Sequence, residues 1–278
     1  MVVRWSSLVS SARVGDALFR TVPPLLLLPA LSCVPEDPPD FRREQNQARA
    51  ETPRPRPARA KDAGRKDKSA ALRAVSASDA PLLTATFRDN FERGELGPDW
   101  KSTTASWRLE HGALCARGAR NRPVWLTRRL PTNARIEFDA TSNSPQGDLK
   151  VEAWGDGKSF ATGTSYDNAT SYILVFGGWK NSAHVLARLD EHKSDRLELK
   201  VDPDSDDPRQ HPVSEGQTYH FKIERSDGVT VRWSIDDLEL HSFADPDPLD
   251  GPGHEHFAFN DWEVPVCFDN LLVVALED

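Results

Sequence analysis

The sequence is poor in cysteine, in long apolar runs and in helical periodicity. Only 3 of its 278 residues are cysteine, which is too few for a disulfide-rich scaffold. The leucine-rich run at 25–31 is too short to span a bilayer as a helix. The chain shows no internal repeat, glycine-rich phosphate loop or nucleophile elbow of the Ser-His-Asp type. These absences argue against a helical membrane protein, a nucleotide-binding fold and a serine hydrolase.

Charge is distributed unevenly along the chain. The net charge is −8, but residues 1–80 contain 14 Lys/Arg and 9 Asp/Glu, a balance of +5, which leaves −13 for residues 81–278. Such an acidic domain repels phosphate backbones, which argues against nucleic acid as a partner and favours neutral ligands, cationic ligands or bound cations. The basic first part suits the anionic head groups of a membrane surface.

Residues 1–33 predict export. Arg4, Arg13 and Arg20 precede the leucine-rich run, as in a signal peptide. The small Ser32 directly before Cys33 resembles the end of a bacterial lipobox, in which the cysteine is lipidated and becomes the new N-terminus. Ordinary cleavage and an uncleaved anchor are the alternatives. We therefore expect a lipoprotein of the bacterial cell envelope, anchored to a membrane by its lipid, at the outer membrane or in the periplasm.

Residues 34–82 predict a disordered linker. They are rich in proline, arginine and alanine, with Phe41 as their single aromatic residue, and bury too little apolar surface to offset chain entropy. The folded domain is expected to span residues 83–278.

That domain has the two-residue period of β-strands. Ten segments alternate or cluster β-branched and aromatic residues between Gly, Pro, Asn and Asp turns: 124–130, 134–141, 148–154, 171–176, 183–190, 196–201, 218–225, 229–235, 238–243 and 266–275. Ser226-Asp227-Gly228 predicts a hairpin turn. So many short strands predict an all-β, two-sheet antiparallel sandwich of the jelly-roll type.

Motifs at both ends of the domain carry a family resemblance. It opens with FRDNFER at 87–93 and LGPDW at 96–100, continues through Trp107 and Gly112-Ala113-Leu114, and closes with FDNL at 268–271. The chain resembles the concanavalin A-like lectin/glucanase (laminin G-like) superfamily over roughly residues 85–276, and its 172–192 segment resembles a subgroup of uncharacterised exported bacterial proteins. The resemblance implies a concanavalin A-like sandwich. It leaves lectins, adhesion modules, glycosidases and lyases open as functions.

The same resemblance places the first and last strands side by side. Asp89 and Asp269, together with backbone carbonyls, could then hold a structural Ca²⁺; the alternative is that both carboxylates cap turns. No other cofactor is required. With Cys33 assigned to lipid, Cys115 and Cys267 are left as a pair for an oxidising compartment, and two separate buried thiols are the alternative.

Two patterns suggest catalysis or metal binding. If strands 134–141 and 148–154 pair, one outward face gathers three carboxylates, Glu137, Asp139 and Glu152, of the kind a glycosidase uses. Cross-strand salt bridges with Arg135 and Lys150 are the favoured interpretation. His254-Glu255-His256 could offer two metal ligands, but surface histidines in a Pro/Gly loop are the simpler hypothesis.

Trp179 is the most prominent candidate for ligand binding. It follows two glycines at the end of strand 171–176, where a large aromatic side chain is not simply explained by core packing. The polar candidates nearby in sequence are Tyr172, Asn181, Arg188, Glu191 and His192. An aromatic face beside planar polar groups suits a pyranose ring. In the alternative, Trp179 plugs the sandwich edge and Glu191-His192 braces the turn.

The sequence therefore favours a non-catalytic, envelope-tethered carbohydrate-binding or adhesion module whose partner is a polysaccharide or other glycan. The alternatives are a polysaccharide hydrolase or lyase of the same fold, and a structural domain that docks another envelope protein.

Overall fold

A computed structural model describes residues 80–277, which form strands and almost no helix. The strands are β1 (Phe87–Asp89), β2 (Trp100–Ser102), β3 (Arg108–Glu110), β4 (Ala113–Ala116), β5 (Val124–Leu126), β6 (Ala134–Ser142), β7 (Leu149–Gly155), β8 (Tyr172–Gly177), β9 (Ala183–Arg188), β10 (Leu197–Lys200), β11 (Thr218–Arg225), β12 (Thr230–Ile235), β13 (Leu238–Ala244), β14 (His256–Asn260) and β15 (Val266–Ala275). The predicted signal peptide, Cys33 and the linker as far as residue 79 lie outside the described residues. Within residues 80–277, no helix is long and apolar enough to cross a membrane.

The strands form two sheets whose pairings are antiparallel, which confirms the predicted sandwich class. The eight-stranded sheet has the order β13-β12-β11-β6-β15-β4-β3, with β1 added against β15. The seven-stranded sheet has the order β10-β9-β8-β7-β14-β5-β2. β6 and β7 belong to different sheets, so the predicted pairing of 134–141 with 148–154 is wrong. That pairing would have joined Glu137 and Asp139 to Glu152.

The main core lies between the sheets and is dominated by aromatic rings. Phe138 on β6 is near its centre, with its ring centroid 4.8 Å from that of Phe221 and 5.2 Å from that of Phe259. Phe259 stacks in turn on Phe268, with centroids 4.4 Å apart. All four rings are fully buried, so alternate side chains of both inner faces interdigitate, as the two-residue period requires.

The two sheets differ on their outer faces. β6 alternates buried and half-buried residues, whereas β7 and β8 are buried along their whole length. The outer face of β8 and β9 is covered by a second apolar cluster that includes Ala161, Tyr166 and Ala169 from the segment between β7 and β8. This cover turns the outer face of the seven-stranded sheet into an interior.

The ends of the domain meet at β15. β1 pairs with it so that Phe87 is opposite Val273, which confirms that the first and last strands are adjacent. β4 pairs with another part of β15, and Cys115 and Cys267 are opposite each other there, joined by a disulfide with a Cα–Cα distance of 4.1 Å.

The predicted strands agree with the observed ones for β11 and β15 from end to end, and for most others within two residues. The predicted hairpin joins β11 to β12, with Gly228 at φ 77° and Asp227 accepting from the backbone N–H groups of Val229 and Thr230. The hypothesis of a surface loop is wrong for His256, which begins β14, is 4% exposed and bonds through Nδ1 to the carbonyl of Leu126.

Candidate functional site

A cavity of about 300 Å³ lies on the outer side of the seven-stranded sheet, at the end of β7. β7 directs Leu149, Val151 and Ala153 into the main core, so Lys150 points to the opposite side. The loops before and after β7, the β4–β5, β9–β10 and β14–β15 loops, and α1 (Gly178–Asn181) after β8 supply the rest of the lining.

Two glycines bring these loops together. A Cβ on Gly147 would lie 2.6 Å from the carbonyl oxygen of Gly177, and both residues have a positive φ, so only glycine permits this close backbone approach. The side chain of Asn181 secures the turn, accepting from the N–H of Val213 and donating to its carbonyl at 2.8 Å. The approach places Asp148 beside the turn that carries Trp179.

The floor of the cavity is a buried ion pair. The Nζ atom of Lys150 lies 3.1 Å from both carboxylate oxygens of Glu191 and 2.9 Å from Oδ1 of Asn121. The side chains of Lys150 and Glu191 are only 2% and 7% exposed. Burial by itself would lower the pKa of Lys150, but the carboxyl groups of Glu191, Asp148 and Asp261 raise it above its ordinary value.

Asp148 is the second acidic group of the floor. It is 8% exposed and has a φ of 64°, a left-handed conformation uncommon outside glycine. The buried Oδ2 atom of its carboxyl group has no hydrogen-bond partner. Burial raises its pKa, as do the charges of Glu191 and Glu263, against the opposing effect of Lys150.

Two indoles form walls of the cavity. Trp179 lies in α1, a single turn whose backbone is left-handed at this residue, with a φ of 51°, and is half-buried, as is Trp262. The guanidinium of Arg196 lies 4.2 Å from the Trp179 ring centroid, and His192 approaches the same indole edge-on at 5.9 Å. These contacts hold the indole of Trp179 in a defined orientation at the cavity wall.

The structure brings together half of the six predicted ligand residues. Trp179, Glu191 and His192 line the cavity. The other three lie outside the cavity lining and have other partners: Tyr172 donates to Asp245 at 2.6 Å, Arg188 donates to the same carboxylate at 2.8 Å, and Asn181 braces the turn. Nearness in sequence does not place Tyr172 and Arg188 there, because β8 and β9 carry their side chains toward the β13 end of the sandwich.

Sequence reasoning missed other members of the cavity: Asn121, Asp148 and Trp262. The one signal of this site in the sequence was the spacing of charged residues at the start of β7, where Asp148, Lys150 and Glu152 are two residues apart. That spacing puts them on one face of the strand, but it is equally typical of a face exposed to solvent.

Glu152 lies behind the cavity and is fully buried. Its carboxyl group accepts hydrogen bonds from Tyr166 at 3.1 Å, Ser171 at 2.6 Å and Asn260 at 2.8 Å. Burial raises the pKa of Glu152 to about 8, although these donors and Lys150 act to lower it. The residue ties Tyr166 to the outer face of the sheet and is not accessible for catalysis.

We expect stability to fall with rising pH through Glu152. Its ordinary pKa is 4.5 and its folded value about 8, so between these values the folded protein holds a proton that the unfolded chain has lost. The contribution is therefore fully present below pH 4.5 and is lost as the pH rises through about 8. Chemical unfolding of Glu152→Gln at several pH values should show a shallower decline than the wild type. An identical decline would refute the assignment. Asp261, with a pKa raised by burial to about 7, accounts for part of the decline that remains.

Glu137 and Asp139 lie on the outer face of the eight-stranded sheet. His220 on β11 lies between them, with Nδ1 2.9 Å from Asp139 and Nε2 3.3 Å from Glu137. Burial tends to lower the pKa of His220, but the two carboxylates raise it overall. The predicted carboxylate trio is thus divided between two sheets, and Glu137 and Asp139 both contact the imidazole of His220.

Asp89 and Asp269 lie on adjacent terminal strands, but Asp89 already has three partners. Arg93 donates to both its oxygens, at 2.5 and 2.8 Å, Trp100 donates at 2.8 Å, and the backbone N–H of Phe91 donates at 2.9 Å. The part of the chain that the structure describes contains no group of three or more His, Cys, Asp or Glu side chains placed to hold a metal ion. Structural calcium at Asp89 and Asp269 stays a prediction, and this geometry does not favour it.

The sequence matches no known protein family and no curated protein. Solved structures are similar to it at low identity. The carbohydrate-binding module CBM66 from Bacillus subtilis is 13% identical, with 64% of this chain and 96% of that one covered and a TM-score of 0.43. The alginate lyase Aly36B is 11% identical (72% and 100% covered, TM-score 0.44), and the laminarinase from Rhodothermus marinus is 12% identical (70% and 98%, TM-score 0.46). The likeness concerns the fold, at identities too low to transfer any residue's role.

Proposed function

We propose that this protein is a carbohydrate-binding module of the bacterial cell envelope, and that its sandwich domain binds a glycan without cleaving it. One observation carries the proposal: Trp179 and Trp262 flank a cavity whose floor consists of the polar side chains of Asn121, Asp148, Lys150 and Glu191. An aromatic wall suits the C–H face of a sugar ring, and polar groups on a rigid floor suit its hydroxyls.

The floor is organised before any ligand arrives. Lys150, Glu191 and Asn121 are fixed by mutual hydrogen bonds in a buried setting, and Arg196 holds both the Trp179 indole and the backbone carbonyl of Glu191. Binding therefore orders few side chains, which reduces its entropic cost.

Replacing Trp179 with Ala should weaken glycan binding about tenfold or more, because loss of an aromatic contact costs roughly 1–3 kcal/mol. The indole is half-buried and lies outside the main core, so the domain should stay folded. Isothermal titration of the purified protein against polysaccharides that bind the wild type measures the effect, and circular dichroism checks the fold.

Phe160→Ala is the matched control. Phe160 is also half-buried and also has a guanidinium over its ring, that of Arg122 at 4.9 Å, but it does not line the cavity. It should bind as the wild type does. Equal weakening in both variants would count against the cavity, and unfolding of the Trp179 variant would assign the indole a structural role.

Attachment to the envelope is part of the same proposal and depends on Cys33. Cys33→Ser should abolish fatty-acid labelling in cells and release the protein from membranes, because the small residue before the cysteine matches a processing signal. The measurement is metabolic labelling with a palmitate analogue. Unchanged labelling of the Ser variant would remove lipidation from the proposal.

A hydrolase or lyase is the second candidate, favoured by two carboxyl groups in contrasting environments. Asp148 has a raised pKa and an unpaired oxygen, whereas Glu191 is held by Lys150. Such a contrast is typical of an acid and a base in glycoside cleavage. If the wild type releases new chain ends from a polysaccharide and Glu191→Gln does not, the protein is an enzyme and the proposal of a non-catalytic binding module fails.

Docking to another envelope protein receives less support. Among the described residues, Leu82 and Val229 are the exposed large apolar side chains, and two side chains are too few for the large apolar patch that such docking favours.

A further inference from the structure

His184 on β9 is a fully buried histidine that joins two backbone segments. Its ring stacks on that of Phe176 in the main core, with centroids 4.4 Å apart. The Nδ1 atom accepts from the backbone N–H of Gly177 at 2.9 Å, and the Nε2 atom lies 3.1 Å from the carbonyl oxygen of His211. Both ring nitrogens therefore have partners, one in the turn after β8 and the other in the segment between β10 and β11.

These partners fix the protonation state of the ring. A nitrogen that accepts from an N–H group carries no proton, and a nitrogen that faces a carbonyl oxygen carries one. His184 is therefore neutral, with its proton on Nε2. A second proton would have to bind Nδ1, where it would point at the N–H of Gly177 and break that hydrogen bond.

This hydrogen bond, here called the His184 link, holds the turn that begins α1 at the wall of the cavity. Gly177 has a φ of 72°, and its carbonyl accepts from the N–H of Asp148 at 2.9 Å. The segment that Nε2 contacts continues to Val213, whose N–H and carbonyl both bond the side chain of Asn181. His184 consequently joins the two segments that enclose α1.

The surroundings of the ring favour its neutral form. Burial lowers the pKa of His184 to about 4, and His241 on β13 acts in the same direction, against the carbonyl of His211. His241 contacts the carbonyl of His184 through Nε2 at 3.0 Å, and Arg209, paired with Asp207 at the surface, acts on His241 in turn. The nearest strands add side chains that are uncharged at neutral pH: Leu199, opposite His184 in the sheet, and Tyr219 and Trp233, which contact Phe176.

We propose that His184 is a positioning residue of the candidate site, whose neutral imidazole holds the turn that carries Trp179, and that acid releases this turn. The inference rests on the proposed glycan-binding function for its effect on a ligand. The pKa of His184 is 6.5 in the unfolded chain and about 4 in the fold, so an opened turn binds a proton that the closed turn excludes. The stabilisation of the closed turn is fully present above pH 6.5 and is lost as the pH falls towards 4.

Hydrogen exchange of the Gly177 N–H, followed by NMR of the purified protein, tests the link without a ligand. After correction for the intrinsic exchange rate, the opening equilibrium of this amide should rise about tenfold or more between pH 7.5 and pH 5. The N–H of Gly228, which bonds the non-titrating side chain of Asn133 at 2.8 Å, should change much less. A general loosening in acid would not give this pattern, because Glu152 is expected to make the fold more stable there.

Variants at His184 separate the hydrogen bond from packing. In His184→Asn the amide oxygen is as many bonds from Cβ as Nδ1 is, so it can accept from Gly177 without titrating, and exchange should stay slow at both pH values. In His184→Phe the ring can still stack on Phe176 but offers no acceptor, and exchange should be fast at both. The control is His241→Gln, which retains a donor for the carbonyl of His184 and should keep the pH dependence of the wild type.

The nitrogen chemical shifts of the imidazole give a readout in the wild type that needs no variant to fold. At pH 5 they should show a neutral His184 ring with its proton on Nε2, while the exposed ring of His192 is charged. A charged His184 at pH 5 with Gly177 still protected would overturn the inference, as would exchange of the Gly177 N–H that does not depend on pH.

Glycan binding supplies the functional readout, by isothermal titration at pH 7.5 with laminarihexaose, cellohexaose and chitohexaose. His184→Phe should weaken the binding of a sugar that the wild type binds about threefold or more, because a smaller fraction of the protein has the turn in place. His184→Asn should restore the affinity to within about twofold. Equal binding by the wild type and His184→Phe would overturn the positioning role and leave glycan binding intact. Failure of the wild type to bind any of the three sugars would count against the proposed function, while the exchange measurements would still decide whether the link exists.

Discussion

Replacing Cys115 and Cys267 together with alanine is expected to lower the free energy of unfolding by about 5 kcal/mol. The disulfide joins residues 152 apart in sequence, so it removes a large amount of conformational freedom from the unfolded chain. It also ties β4 to β15, the strand that pairs with β1, β4 and β6. Urea unfolding under non-reducing conditions, with the midpoint and slope compared between variant and wild type, measures the loss.

Reduction provides the control for the alanine variant. Dithiothreitol should destabilise the wild type by a similar amount and should leave the double variant unchanged, because the variant has no bond to reduce. Two alkylatable thiols in the folded, exported wild-type protein would contradict the prediction, as would equal urea midpoints for variant and wild type.

The strand positions could be predicted because they depend on local residue spacing. Segment 218–225 alternates polar and apolar residues up to Glu224, and segment 266–275 is rich in valine and leucine; they form β11 and β15 with the same ends. β14 was missed because His256–Asn260 is buried along its whole length and follows a Pro/Gly-rich turn, so it shows neither alternation nor an evident start. A short buried strand carries little periodic signal.

The assignment of strands to sheets was harder to predict from the sequence than the strand positions were. A short connection between β6 and β7 favours a hairpin, yet the chain crosses from one sheet to the other at this point. The charged residues of β7 consequently seemed to share an outward face with Glu137. In the fold they lie beneath the β7–β8 segment, whose Tyr166 contacts Glu152. No feature of β7 itself reveals that another segment covers it.

The candidate site could be predicted in part for a similar reason. Trp179 stands out because two glycines precede it, and Glu191 lies close behind in sequence. Asp148 and Trp262 reach the same cavity through the close approach of Gly147 to Gly177 and through the β14–β15 loop. Such contacts between distant segments depend on topology, which residue spacing does not specify.

Lys150→Met is expected to destabilise the domain by about 3–5 kcal/mol. The Lys150 and Glu191 side chains are almost completely buried, so removing the ammonium leaves Glu191 without its cation and deprives Asp148 and Asp261 of theirs. These carboxyl groups must then take up protons or remain charged in a poorly solvated setting, and either response costs free energy. Urea unfolding at pH 7 measures the effect, and the loss should be smaller at pH 5, where protonation is easier.

Two further variants decide whether the lost ion pair is the cause. Lys193→Met removes a lysine from a solvent-exposed pair with Asp195 and should change stability by no more than about 0.5 kcal/mol. Lys150→Met combined with Glu191→Leu should recover a large part of the loss, since apolar partners of similar volume often replace a buried ion pair at little cost. If the double variant were as unstable as the sum of its single variants, the cost would arise from packing, because a shared ion pair makes the two changes non-additive.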